Sequence, residues 1–265
     1  MENPVDKSTR FDMMIDALVE LAQEEQAHLT PHAPDLPTLR AVLADVSPLP
    51  RETLFLGLAD DGLPVLLNLF DPIPGPLLII GDQASGKTRL LQTIARGADL
   101  LHTPADVQYV VVTPYPKEWK AFQGNQSNAG VYPTQGSNAE ELIKSLVGWA
   151  HNNRGEHQSV LLLIDDIESV IKINQQVEQN LRWLLMRGPS RRVWPIVTLN
   201  AARAQLMKEW LELFRTRLFG HIENSDEAAF ITANPSHTLT HLMAGSKFAI
   251  REEQQLLNFL VPIAD

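Results

Sequence analysis

Apolar positions along the chain follow two rhythms, and the change between them marks where the fold begins. Phe11, Met14, Ile15, Leu18 and Leu21 recur every three or four residues, which predicts an amphipathic helix over about residues 9–27. Its polar face carries Glu20, Glu24 and Glu25 in place of lysines, so the stripe reads as a packing face and not a membrane-surface helix. Pro31, Pro34, Pro37, Pro48 and Pro50 then punctuate a connector, interrupted by a short helix near residues 39–46, that wraps or docks onto the main domain. From residue 54 the rhythm shortens. Residues 54–58 and 63–69 flank Ala59-Asp60-Asp61-Gly62, the pattern of a β-hairpin. Apolar runs at residues 76–80, 107–112, 160–164 and 193–198 read as buried strands, and helical patterns intervene near residues 89–95, 138–147 and 175–187. A helix near residues 203–214, a segment at residues 217–222 and a strand pair at 248–251 and 256–261 close the chain. Residues 122–137, rich in Gly, Asn, Gln and Ser, read as a polar surface loop, and Ser137-Asn138-Ala139-Glu140 as a capping box. Strands alternating with helices predict an α/β fold, a mainly parallel sheet with helices on both faces.

Composition narrows this picture. The 265 residues allow one large α/β domain over residues 51–265, with residues 1–50 as an N-terminal helical segment and connector. There are no cysteines, which excludes disulfides, thiolate metal sites and a cysteine nucleophile. The first ten residues are polar, and no apolar run approaches the ~20 residues of a membrane span, so a cytoplasmic protein without direct membrane insertion is expected. The net charge of −10 counts against a protein that coats duplex DNA, although net charge says little about local charge.

The chemistry concentrates after the first buried run. Gly81-Asp82-Gln83-Ala84-Ser85-Gly86-Lys87-Thr88 fits the phosphate-loop pattern G-x-x-x-x-G-K-[ST] at every fixed position, with a strand before it and a helix opening at Arg89. That arrangement aims backbone N–H groups and a helix N-terminus at a polyphosphate. Lys87 would reach the β- and γ-phosphates, and Thr88 would place its hydroxyl on Mg²⁺. Leu161-Leu162-Leu163-Ile164-Asp165-Asp166 has the Walker B form, a buried strand ending in acids. Asp165 would hold Mg²⁺ through its water shell, and Asp166 would orient the attacking water. Many such enzymes keep a glutamate there; aspartate stops roughly 1–1.5 Å short, and misplacement of that order costs about a hundredfold. Slow ATP hydrolysis is therefore expected, with nearby Glu168 a candidate to compensate. Asn200 is either a γ-phosphate sensor or an Asn closing a strand-to-helix turn. Phosphoryl transfer also calls for an arginine finger, often from a neighbouring subunit; Arg187 is the first candidate, then Arg191, Arg192 and Arg217. Trp119 is either a base- or partner-stacking residue or a partly buried surface aromatic. No guanine-reading N/T-K-x-D signature is present, which favours ATP over GTP.

Taken in order, these motifs resemble the FtsK/HerA superfamily of P-loop ATPases, and within it the FtsK-like motor domain, over roughly residues 51–262. The matching pieces are the hairpin ahead of the phosphate loop, Val111-Val112-Thr113-Pro114, Thr198-Leu199-Asn200, Thr216-Arg217-Leu218 with Ser225-Asp226, and Leu242-Met243-Ala244-Gly245-Ser246-Lys247-Phe248. The resemblance implies a RecA-like P-loop core, ATP and Mg²⁺ at subunit boundaries, and a homo-oligomeric ring or partner ATPase subunits, working on DNA translocation or the assembly of a larger machine. It equally admits an ATPase of a protein secretion system, or a regulatory module that holds nucleotide with little turnover. Asp166 in place of Glu, Thr113 in place of a strand-end Asp and Ala201 in place of a sensor Arg depart from the family pattern.

Overall fold

The most apolar runs of the chain become the central strands of one sheet. Leu77–Gly81 (β3), Val107–Thr113 (β4), Ser159–Ile164 (β6) and Val193–Asn200 (β7) are buried along almost their whole length, as strands covered on both faces must be. Around them lie Thr53–Ala59 (β1), Pro64–Asn68 (β2), Asn128–Pro133 (β5), Thr216–Phe219 (β8), Lys247–Glu252 (β9) and Gln255–Leu260 (β10). The computed structural model describes residues 36–153, 158–233, 237–252 and 255–265; the helix expected over residues 9–27 lies outside them. The strand order is β2-β1-β10-β9-β8-β3-β7-β6-β4-β5. From β8 to β5 all neighbours run parallel, and from β9 to β2 all pair antiparallel.

Side-chain alternation along the strands divides the core in two. Leu78, Ile80, Val110, Val112, Leu162, Ile164 and Val197 pack with Ala139, Ile143 and Leu146 of one helix and Val177, Leu181 and Leu184 of another. Leu77, Ile79, Tyr109, Val111, Leu161 and Leu163 face the other way, onto Leu90, Leu91, Ile94 and Ala98 of the helix Lys87–Leu101. The helices on the first face are Asn138–Asn152 and Gln175–Arg187. A fully buried leucine such as Leu163 truncated to alanine costs about 2–5 kcal/mol, so the strands that carry the site are firmly held.

The chain divides into Met1–Leu36 and Pro37–Asp265. The short helix Leu39–Val46 belongs to the second unit: Leu39 N–H donates to the Ile263 carbonyl at 2.8 Å, and Leu39, Val42 and Leu43 pack on Phe55. No helix among the described residues is long and apolar enough to cross a membrane.

Four local expectations are corrected. The polar stretch 122–137 is not all loop, because β5 lies within it and extends the sheet beside β4. An edge strand is only half buried, so it lacks the continuous apolar run that marks the central strands. The capping box does not form: Ser137 has helical angles (φ −82, ψ −17) and no side-chain cap bond. Glu140 instead accepts from Asn174 Nδ2 at 2.7 Å, and Asn174 caps the helix Gln175–Arg187. The helix near residues 203–214 shrinks to Lys208–Leu211, since Arg217 donates to the Leu211 and Phe214 carbonyls and turns the chain there. Trp119 is wholly buried rather than on the surface.

Candidate functional site

Register decides which residues meet. Gly81 at the end of β3 sits beside Asn200 at the end of β7, and Ile164 at the end of β6 lies beside Val197. The loop after β3 and the two aspartates after β6 therefore share the carboxyl edge of the sheet, where ligands bind in open α/β folds.

The loop is braced from behind. Asp82 N–H donates to the His221 carbonyl at 3.0 Å, and Asp82 Oδ2 accepts from Glu223 N–H at 2.8 Å. Gly245 N–H donates to the Ser85 carbonyl at 3.1 Å. Gly86 has φ +94, and a Cβ there would lie 2.8 Å from the Gly245 backbone, so glycine is required for both conformation and space. The late Leu242–Phe248 motif thus has a physical job, as the floor beneath the phosphate loop.

In front of the loop is a pocket of about 720 Å³. The helix Lys87–Leu101 starts in its wall with a glycine N-cap and no side-chain capping bond, leaving its first N–H groups toward the pocket. Lys87 Nζ donates to the Gly81 and Asp82 carbonyls at 2.9 and 2.5 Å. Burial lowers its pKa from the ordinary lysine value, against the opposing charges of Asp165, Asp82 and Asp166. Thr88 Oγ1 donates to the Asp165 carboxylate, 3.1 and 3.0 Å from its two oxygens. Asp165 is almost fully buried, and that burial raises its pKa despite hydrogen bonds from Thr88 and Thr198.

Thr198 escaped the sequence reading as a site residue, although a threonine ending an apolar strand beside the Walker B strand is a usable signal. Its hydroxyl donates to Asp165 Oδ1 at 3.2 Å and accepts from Asp166 N–H at 2.7 Å, tying both aspartates to β7. Asp166 is held at φ 78, ψ 93, a backbone region that non-glycine residues enter only under constraint. Its Oδ1 accepts from Glu168 N–H at 3.1 Å and caps the short helix Ile167–Ile171. Burial raises its pKa, with the charges of Glu168 and Asp165 adding to the effect.

Glu168 cannot take over from Asp166. Arg203 Nε and Nη2 grip its carboxylate at 2.8 and 2.6 Å, and Lys172 Nζ at 2.7 Å. These hydrogen bonds pull its pKa down to about 2. Arg203, also in the pocket wall, follows no pattern readable in the chain. Asn200 lines the pocket, and its Oδ1 accepts from Ala202 N–H at 3.1 Å, closing the turn after β7.

Arg187 is not brought to this pocket. It ends the helix Gln175–Arg187, exposed, just before β7 enters the opposite edge of the sheet. The other finger candidates are engaged elsewhere: Arg192 with Glu52 at 3.1 Å, Arg191 with the Asn153 carbonyl at 3.4 Å, and Arg217 with the Leu211 carbonyl at 2.7 Å. Arg89 does line the pocket, and its Nη2 is buried without a hydrogen-bond partner among the described residues. A buried donor left unpaired costs about 1–3 kcal/mol, a penalty that an anionic ligand would cancel. The donor set fits a Mg-bound polyphosphate: ammonium, orphaned guanidinium and helix N-terminus for the phosphates, with Thr88 and Asp165 as hard oxygen ligands for the metal.

No protein-family model and no curated protein sequence matches the chain, but solved structures do. Thermomonospora curvata EccC (ATPases 2 and 3), in complex with a signal sequence peptide, matches with TM-score 0.67 at 18% identity, over 86% of this chain and 43% of that one. EssC (ATPases 2 and 3) from Geobacillus thermodenitrificans matches with TM-score 0.68 at 15% identity, over 89% and 48%. The pCW3 conjugation coupling protein TcpA with ATPγS gives 0.64 at 14%, over 87% and 70%. The chain spans less than half the length of the first two. At such identities the likeness is one of fold: the chain shares the α/β fold of these ATPase and coupling-protein structures, a mainly parallel sheet with the phosphate loop at its carboxyl edge.

Proposed function

We propose that this chain binds Mg-ATP in the pocket before the phosphate loop and hydrolyses it slowly, coupling the nucleotide to translocation or to assembly of a larger machine in the cytoplasm. The observation that carries this reading is the contact of Thr88 with Asp165. It joins the phosphate loop to the Walker B strand across 77 residues of chain, beside a lysine whose ammonium rests on loop carbonyls. Backbone N–H groups of Gln83, Ala84, Gly86, Lys87 and Thr88 would take the phosphate oxygens, and Lys87 would leave its two carbonyls for the β- and γ-phosphates. Mg²⁺, when bound, neutralises charge building on those oxygens. Asp165 is pre-aimed for it by Thr198. Asp166 would hold the attacking water through Oδ2, its other oxygen being committed to the helix cap. Asn200 would contact the terminal phosphate from the turn that it closes. Arg187 lies away from the pocket and Arg203 is held by Glu168, so beyond Arg89, which we assign to phosphate binding, a finger would come from a neighbouring copy or partner ATPase subunit; we propose that the working form is an assembly, and a ring accounts for it.

Two substrates are consistent with the neighbours, one of which was solved with a signal sequence peptide and another of which is a conjugation coupling protein. For this chain we favour DNA. A second reading, a module that holds nucleotide with negligible turnover, is favoured by the sequestered Glu168 and the half-committed Asp166. Steady-state phosphate release, with and without duplex DNA, separates them. The motor reading expects Mg-dependent turnover, lost in Lys87→Ala and raised by DNA; tight binding of Mg-ATP with no turnover under either condition supports the module.

A further inference from the structure

Four carboxylates face the pocket, Glu118, Asp165, Asp166 and Glu168, and three have work to do. Asp165 accepts from Thr88 and Thr198, Asp166 caps a helix with one oxygen, and Glu168 is locked between Arg203 and Lys172. Glu118 is different: its carboxylate has no hydrogen-bond or ion-pair partner among the described residues, yet its backbone is fixed. Glu118 N–H donates to the Tyr115 carbonyl at 3.1 Å, and the Glu118 carbonyl accepts from Gln92 Nε2 at 3.0 Å. The next residue, Trp119, is wholly buried and packs on Phe122 with ring centroids 5.3 Å apart. The Glu118 side chain is thus exposed on a turn whose backbone is fixed. The turn that carries it, Pro116–Phe122, follows β4, and β4 lies beside β6, the strand that delivers Asp165. Glu118 is near enough to Asp165 for its charge to oppose that carboxylate's ionisation. It therefore enters the pocket from the β4 side, with both oxygens uncommitted and one methylene more reach than aspartate.

We propose that Glu118 is a catalytic carboxylate of this site, accepting the hydrogen bond and then the proton of the attacking water while Asp166 steadies the same water. This rests on the Mg-ATP reading of the pocket. In the step, the water oxygen bonds to the γ-phosphorus as the bond from that phosphorus to the β,γ-bridging oxygen breaks. The water's proton passes to Glu118 and then to solvent, and ADP and phosphate leave.

The test uses the full chain with Glu118→Gln, an isosteric change at an exposed side chain, and measures turnover at saturating Mg-ATP together with Mg-ATP affinity by calorimetry. The expected result is a loss of about 100-fold in turnover with affinity changed by no more than about threefold, since a residue acting only at the chemical step leaves ground-state binding intact. Asp166→Asn, measured alongside, should lose less. Wild-type turnover in Glu118→Gln overturns the proposal. So does a larger loss in Asp166→Asn, which would give the proton to Asp166, and so does a wild-type chain that binds Mg-ATP without turning it over. Failure of the wild type to bind Mg-ATP is a separate outcome that removes the nucleotide reading itself and the proposal with it.

Discussion

Thr198→Val removes one oxygen atom and leaves the side chain's shape nearly unchanged, at a position only 1% exposed. Two bonds go with it. The Asp166 N–H loses its acceptor at 2.7 Å, and the Asp165 carboxylate loses a donor at 3.2 Å. An unsatisfied buried N–H costs about 1–3 kcal/mol, and a hydrogen bond to a charged group contributes about 1.5–3 kcal/mol, less here because the second contact is long. The two share one oxygen and do not simply add. The extra buried methyl returns roughly 0.8 kcal/mol. The net expectation is a loss of about 2–3 kcal/mol in the nucleotide-free chain. Thr198→Ser keeps both bonds and forfeits a methyl, which costs about 1 kcal/mol. Guanidinium denaturation monitored by tryptophan fluorescence reads the difference as a shift in midpoint at constant slope. Mg-ATP affinity should fall in the valine variant and hold in the serine variant, because Asp165 is no longer aimed. A valine variant within about 0.5 kcal/mol of wild type, or one matching the serine variant, would refute the claim that this hydroxyl organises both aspartates.

Three further outcomes are expected. Gly86→Ala forces a left-handed alanine at φ +94 against the Gly245 backbone, costing at least about 1–2 kcal/mol; thermal denaturation should show a lower midpoint and no added stabilisation by Mg-ATP. Arg89→Met keeps the stem and removes a guanidinium whose ionisation burial disfavours; the nucleotide-free chain should be at least as stable as wild type while calorimetry shows weaker Mg-ATP binding. Glu168 has a depressed pKa, so its contribution to stability is complete above the ordinary value of 4.5 and is lost as pH falls toward about 2; denaturation midpoints across that window should fall less steeply in Glu168→Gln than in wild type.

Much of the fold was legible in the chain because burial on both faces leaves a strong trace. The runs through Leu161 and Ile196 had to be central strands, and the phosphate loop had to follow the one at residues 76–80. Elements whose identity depends on partners were not legible. β5 is an edge strand paired on one side, so its composition resembles a loop. The helix near residues 203–214 carries a convincing apolar period, but Arg217, distant in the pattern and close in space, claims its terminal carbonyls. The capping box failed for a similar reason, since Glu140 is taken by Asn174. In the site itself, Lys87, Thr88 and Asp165 are marked by spacing, because backbone geometry after a strand dictates it. Thr198, Arg203 and Glu118 are brought in by sheet order, and the placement of β7 and β4 on either side of β6 is not written in any local pattern. Glu168 shows the converse: proximity in sequence suggested a catalytic acid, and two cations have made it an ion-pair partner.

The central claim is that the phosphate loop and the Asp165 strand together hold a Mg-bound triphosphate. Calorimetric titration of the full chain with a non-hydrolysable ATP analogue, with Mg²⁺ and then with the metal chelated, tests it most directly. Saturable one-site binding that weakens without Mg²⁺ and disappears in Lys87→Ala is the predicted result. Absence of binding by the folded wild-type chain, or binding indifferent to both the metal and Lys87, would contradict it.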